Sequence, residues 1–397
     1  MAREPRSIKS AAEPSPESLP ECRPAEPGPY SSEVTPWDEE AFNRIISIEL
    51  SPVQVERVVT PARVFPRQEA VLAVHWHPEF IPLPLIERRI NAMFPGREEE
   101  LIIPTQHNEI LSFHGYAGVE IDCYSRGFAR KVQLLLHLTK EKAAEAGVLK
   151  GMCEHTFQYR SGQLYEYLDS LVDPRWDERM QEGAAETGAN EDLVNFTRAH
   201  AARLAALLRR HESRVPRLMI KNKLLREYFD QLRGLYPDRM INRAQLLLKA
   251  VKATVKRNFS LTYFYRTHEV IEEARAAGAG IVIPHPEQFW PILLAGYDVD
   301  GYEVWNPQSR EYTEFLINVL DRHNKSLNGR ERPILVFMGD DTHLGEKVKD
   351  PALADREKVA REVGWQPAWD ELAIAKTLIL SGVDRRSIIQ EYKERLA

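Results

Sequence analysis

A chain of 397 residues, 43% hydrophobic and 28% charged, has a globular composition and enough length for one large α/β barrel or two ordinary domains. No run of about 18 apolar residues occurs and the first residues lack an apolar signal segment, so the chain is expected to be cytoplasmic. Net charge is −6, and the three cysteines, Cys22, Cys123 and Cys153, are too few and scattered for a disulfide framework or a Cys-rich zinc site, so any metal must be held by His and carboxylates.

Residues 1–36 carry eight prolines among Ser, Glu and Ala, a composition that predicts a disordered tail. A short helix is expected over 38–46, then a strand over 70–76 that ends in His75-Trp76-His77. Leu85 to Phe94 has helical spacing and stops at Pro95-Gly96. Leu101-Ile102-Ile103, Gly118–Cys123 and Lys131–Leu138 read as strands, and their alternation with helices suggests a parallel, barrel-like architecture over 37–160. From 161 to 265 the pattern is helical without a credible strand, a large insertion into the barrel. Between Arg198 and Ser260 it holds sixteen Lys/Arg against four acids, a net of +12 that leaves −18 for the rest. That block is either an anion-attracting surface, including one for nucleic acid, or a solvated face packed against the acidic remainder.

The barrel rhythm returns over 266–397. Thr267 suits the start of a helix that Gly278 stops, followed by a strand from Gly280 to Pro286 that ends in His285, strands at Gly301–Asn306 and Pro333–Met338, and C-terminal helices over 369–382 and 385–396. In a strand, residues i and i+2 face the same side, so Asp341 and His343, like His75 and His77, can converge on one ion. The strand ends together collect His75, His77, His107, Glu120, His137, His285, Asp341 and His343, with Glu303 and Asn306 near another. Barrels carry catalytic groups at such ends, and this is a ligand set for zinc, manganese or iron. Each residue alone reads as readily as a packed or surface side chain; their joint placement at six strand ends points to a metal site.

The motifs His75-Trp76-His77, Thr105-Gln106-His107-Asn108, Gly118-Val119-Glu120-Ile121, Ile283-Pro284-His285-Pro286, Gly301 to Asn306 and Gly339 to His343 resemble, in order, those of the PHP (polymerase and histidinol phosphatase) family. The resemblance covers roughly 68–345, interrupted by the insertion. It implies a distorted (β/α)7 TIM-like barrel, two or three divalent metal ions (Zn, Mn or Fe) and phosphoester hydrolysis. It assigns His75, His77, Glu120 and Asp341 to one metal, Glu120, His137 and His285 to a second, and His107 and His343 to a third. Two positions depart from the family pattern. After His77 only Glu79 can replace the family's further His or Asp, and Gln106 stands where Asp is usual. Asp341 or Glu79 would accept the proton of the attacking water, with His343 beside them.

The substrate so implied is a phosphorylated small molecule or nucleotide. The competing reading is a catalytically silent PHP-like scaffold that binds nucleic acid or a protein through the basic lobe. An amidohydrolase barrel, which also opens with His-x-His, fits less well because Asp-x-His and a strand Glu occupy the positions in question.

Overall fold

The computed structural model describes residues 30–128, 130–327 and 332–397. The protein is a mixed α/β structure built around ten strands: β1 Ala70–Ala73, β2 Trp76–His77, β3 Glu99–Ile102, β4 Leu111–Phe113, β5 Tyr116–Ser125, β6 Arg130–Thr139, β7 Gly280–Ile283, β8 Gly301–Trp305, β9 Leu335–Met338 and β10 Thr342–His343. β1 reads as an unbroken apolar run, and so does the stretch from Leu101 to Ile103 at the end of β3, because both faces are buried there. Leu72, Val74, Leu101 and Ile103 face one core, whereas Val71, Ala73 and Ile102 face another with Ile86, Ile90 and Phe94.

Six strands form one sheet in the order β4-β5-β6-β7-β8-β9, while β1-β3 and β2-β10 are separate parallel pairs. The expected all-parallel arrangement is corrected here: β4 through β7 pair antiparallel, and only β7-β8-β9 run parallel. For β5 and β6 the reason lies in their connection, residues 126–129, shorter than the dozen or so that a parallel crossover needs. Among the described residues no ladder closes the sheets into a barrel. Isolated links stitch their edges instead: Asp341 N to His75 O at 2.9 Å, Thr105 N to Trp76 O at 2.8 Å, and the His107–Glu120 bridge, with Glu120 N to Gln106 O at 3.2 Å and Asn108 N to Glu120 O at 2.8 Å. All three involve candidate site residues or their neighbours.

Between β6 and β7 the chain is helical, from Lys140 to Asn258. Helices Tyr159–Val172, Asp177–Thr187, Glu191–Arg210, Lys223–Gln231 and Asp238–Asn258 share a core of their own, with Phe196, Tyr228, Phe229 and Leu247 at its centre. Helix Pro36–Ile46, which the sequence groups with the barrel, packs into this lobe through Phe42, Ile45 and Ile46, and its buried Asp38 accepts the Tyr228 hydroxyl at 2.6 Å. The tail expected over 1–36 lies outside the described residues up to 29. Tyr30 already packs edge-on against Phe196 at 5.2 Å, and Thr35 caps the first helix. Helix Thr267–Ala276 ends as expected at Gly278, which takes a left-handed φ of +71°. At its start Glu269 caps the Arg266 N–H at 2.8 Å, while Thr267 is buried.

Among the described residues no helix is long and apolar enough to cross a membrane.

Candidate metal centre

The edges where the sheets meet bring seven of the eight predicted ligands together. Three groups of donor atoms form, each spanning less than 4.8 Å: His75, His77 and Asp341; His75, Glu120 and His285; and His77, His107 and His343. Asp341 Oδ1 lies 3.7 Å from His75 Nε2, 3.5 Å from His77 Nε2 and 3.4 Å from His343 Nε2. Glu120 reaches both ways, Oε2 to His107 Nδ1 at 2.6 Å and His77 Nε2 at 3.5 Å, and Oε1 to His285 Nε2 at 3.9 Å. The His77 ring lies against those of both His107 and His343, each 4.3 Å away, and those two are 5.8 Å from one another.

His137 is the exception, and its assignment to the second group is corrected. It lies inside the β6 ladder opposite Gly118 and Gly280, with Nδ1 2.7 Å from the Tyr392 hydroxyl and Nε2 2.9 Å from Val74 O. Both nitrogens are occupied by the protein, and His75 takes its place beside Glu120 and His285.

The convergence is not produced by strand pleating alone. Asp341 has a left-handed φ of 44°, as do Glu79 (53°), Asn108 (52°) and His285 (30°). Four of the five non-glycine residues with positive φ among the described residues are site residues or their immediate neighbours, the distribution expected where backbone strain serves a site. The turns are tied down locally. Asn108 exchanges two hydrogen bonds with Asp122, at 2.8 and 2.9 Å, and Gln106 accepts the Glu79 N–H at 3.2 Å.

Four side chains support the site in ways the sequence does not signal: Glu303, Arg361, Gln308 and Lys221. Glu303 holds His75 from behind, with Oε1 2.6 Å from Nδ1, so that Nε2 faces the cluster, and its Oε2 accepts the His285 N–H at 3.1 Å. Gly339 makes this possible, because a side chain there would occupy the Glu303 carboxylate. Arg361 donates 2.7 Å to Asp341 Oδ2 and 3.1 Å to its carbonyl, and Gln308 donates to the same Oδ2 at 2.7 Å. Asp341 Oδ2 is thus committed while Oδ1 faces the imidazoles. Lys221 reaches from the lobe to Glu79 Oε1 at 3.1 Å, and that oxygen lies 3.7 Å from His343 Nδ1.

The electrostatics favour a cation. Burial would raise the Glu120 and Asp341 carboxyls, yet the surrounding imidazoles hold both well below the usual carboxylate range. Burial would lower His75, but Glu303, Asp341 and Glu120 lift it to about 10. Burial pushes His77 down to about 3, helped by the neighbouring His343 and His107. Carboxylates that draw a proton so strongly onto one imidazole draw a metal ion by the same field.

The donor atoms fit a metal in a second respect. His75 Nε2, both nitrogens of His77 and His285 Nδ1 are buried and have no hydrogen-bond partner among the described residues. Orphaned buried imidazoles are costly unless something else satisfies them, and nitrogen and oxygen donors at this spacing suit divalent ions.

The +12 of the lobe is largely answered within the molecule. Arg198 pairs with Asp177, Arg203 with Asp38, Arg210 with Glu39, Arg217 with Glu154, Lys223 with Glu346 and Arg257 with Glu182, all acids outside the basic segment.

No family model matches the chain, and no curated protein matches it. Among solved structures it is similar to a protein from Bifidobacterium adolescentis whose assignment as a metal-dependent phosphoesterase is itself provisional. The two are 17% identical, and the match covers 82% of this chain and 98% of that one with a TM-score of 0.35. A superposition that loose transfers neither fold nor residue roles.

Proposed function

We propose that this protein is a metal-dependent phosphoesterase of the PHP type, acting on a phosphorylated small molecule with two or three divalent ions. One observation carries the reading: three overlapping groups of His and carboxylate donors share His75 and His77, and buried nitrogens of His75, His77 and His285 have no hydrogen-bond partner among the described residues. Asp341, His75, His77, Glu120 and His285 would hold two ions, and His107 and His343, the more exposed pair, a third. The distorted-barrel reading rests on the isolated links that join the sheet edges around this cluster. Ions so placed supply charge neutralisation at phosphorus and a lowered pKa for water.

The chain's own residues divide the remaining work. Glu303 and Arg361 orient ligands. Asp341, with both oxygens committed, acts as a ligand, which leaves Glu79 beside His343 as the proton acceptor on the lobe side. Nucleic acid is the weaker substrate class, since most lobe cations already have carboxylate partners.

The test is metal analysis of purified protein together with turnover of an aryl phosphate by wild type, His75→Ala and Asp341→Ala. Loss of both metal and turnover in the variants is expected. Bound metal without turnover across a broad phosphoester panel would favour the scaffold reading instead.

A further inference from the structure

The helical lobe and the metal cluster meet at one place. Residue 221 lies in the short connection between the helical turn Arg217–Met219 and helix Lys223–Gln231, where the lobe approaches the loop after β2. A cleft of about 890 Å³ separates the two bodies, with Met219, Lys221 and Arg226 on the lobe side and Glu79, Phe80 and Lys349 on the other. Gly345 allows Glu79 to lie there, because a side chain at 345 would overlap the Glu79 carboxylate.

Two neighbouring lysines are treated differently. Lys223 is committed to carboxylates, 2.8 Å from Glu346 and 3.7 Å from Glu227. Lys221 has one acceptor among the described residues, Glu79 Oε1, for three N–H donors, although its side chain is only 20% exposed. A mostly buried ammonium with spare donors, one carboxylate away from His343, is suited to an anion placed between it and the cluster. Glu79 holds the lysine in place without saturating it.

We propose that Lys221 binds the phosphoryl group of the substrate at the mouth of the metal cluster, so that the helical lobe completes the active site instead of serving as a separate docking surface. This rests on the phosphoesterase reading above. The lobe's contribution is then one positioned charge, while Arg203, Arg210, Arg217 and Lys223 tie the lobe to its surroundings through ion pairs.

The experiment measures inorganic phosphate binding to metal-loaded protein by calorimetry, and in parallel KM, kcat and competitive inhibition by phosphate during aryl phosphate turnover. Lys221→Met is expected to weaken phosphate binding and raise KM roughly 10- to 100-fold, the worth of a charge-assisted hydrogen bond, with metal content unchanged and a lower melting temperature because the buried Glu79 loses its cation. Lys221→Arg should recover much of the loss. Should Lys221→Met fail to fold, Lys221→Gln, which keeps a donor for Glu79, carries the same expectation. Phosphate affinity and KM within about twofold of wild type in an active variant would overturn the assignment, because an interaction of this kind is worth more than that. A wild type that neither binds phosphate nor turns over any phosphoester would instead overturn the enzymatic reading itself.

Discussion

Glu303 holds His75 by a 2.6 Å contact to Nδ1, and with its other oxygen it caps the backbone N–H of His285. One carboxylate thereby fixes two ligands from different strands. Glu303→Ala should lower metal affinity roughly 10- to 100-fold, with Glu303→Gln intermediate because it keeps an acceptor for the ring. Competition against a chelating dye reads this directly, and unchanged affinity in Glu303→Ala would refute the role.

Arg361 is the second support, buried against Asp341. Arg361→Met leaves a buried carboxylate without its cation, which costs on the order of 3 kcal/mol in metal-free protein. Divalent ions should then stabilise the variant more than they stabilise wild type, since they restore a positive partner. Melting curves with and without metal test both statements.

In the lobe, His200 is packed among Phe196 at 4.5 Å, Tyr236 at 5.3 Å, Tyr228 and Phe229, and neither ring nitrogen has a partner among the described residues. Burial, with Arg203 adding to it and Asp38 opposing, pushes its pKa down to about 3. The unfolded chain binds this proton near pH 6.5 and the folded protein does not until about 3, so acid favours unfolding across that window. Stability should fall there by up to about 1.4 kcal/mol per pH unit from this residue. Denaturant midpoints at pH 7 and pH 5 should therefore differ less in His200→Leu than in wild type.

Phe42 tests where the first helix belongs. It is fully buried in the lobe core and its ring stacks on His211 at 5.8 Å. Phe42→Ala should cost about 3–5 kcal/mol in denaturation, comparable to a cavity at Phe196. Near-neutral behaviour would place the helix outside the lobe's cooperative unit.

The ligands were legible in the sequence because each sits at the end of an apolar run, where position and residue type can be read together. Asp341 and His343 do share a side, although a left-handed turn at Asp341 contributes, which alternation cannot foresee. His137 satisfied the same rule and failed it, since its partners Tyr392 and Val74 are 255 and 63 residues away. Glu303 was visible as a strand residue but not as the support of His75, 228 positions earlier. Lys221 and Arg361 were hidden for the same reason: one is a lysine among sixteen basic residues, the other lies in a connection with no pattern. The β5–β6 hairpin was decipherable in principle, because its four-residue connection excludes a crossover.

The lobe's place between β6 and β7 bears on the order of synthesis. Its core draws on residues 42–255, all of which precede His285, Asp341 and His343 in the chain. During translation the lobe can therefore collapse while three of the seven metal ligands are still unmade, and its folding draws the two ends of a long excursion toward each other. A ribosome-bound chain halted after the lobe would carry a folded helical body beside His75 and His77 that await their partners.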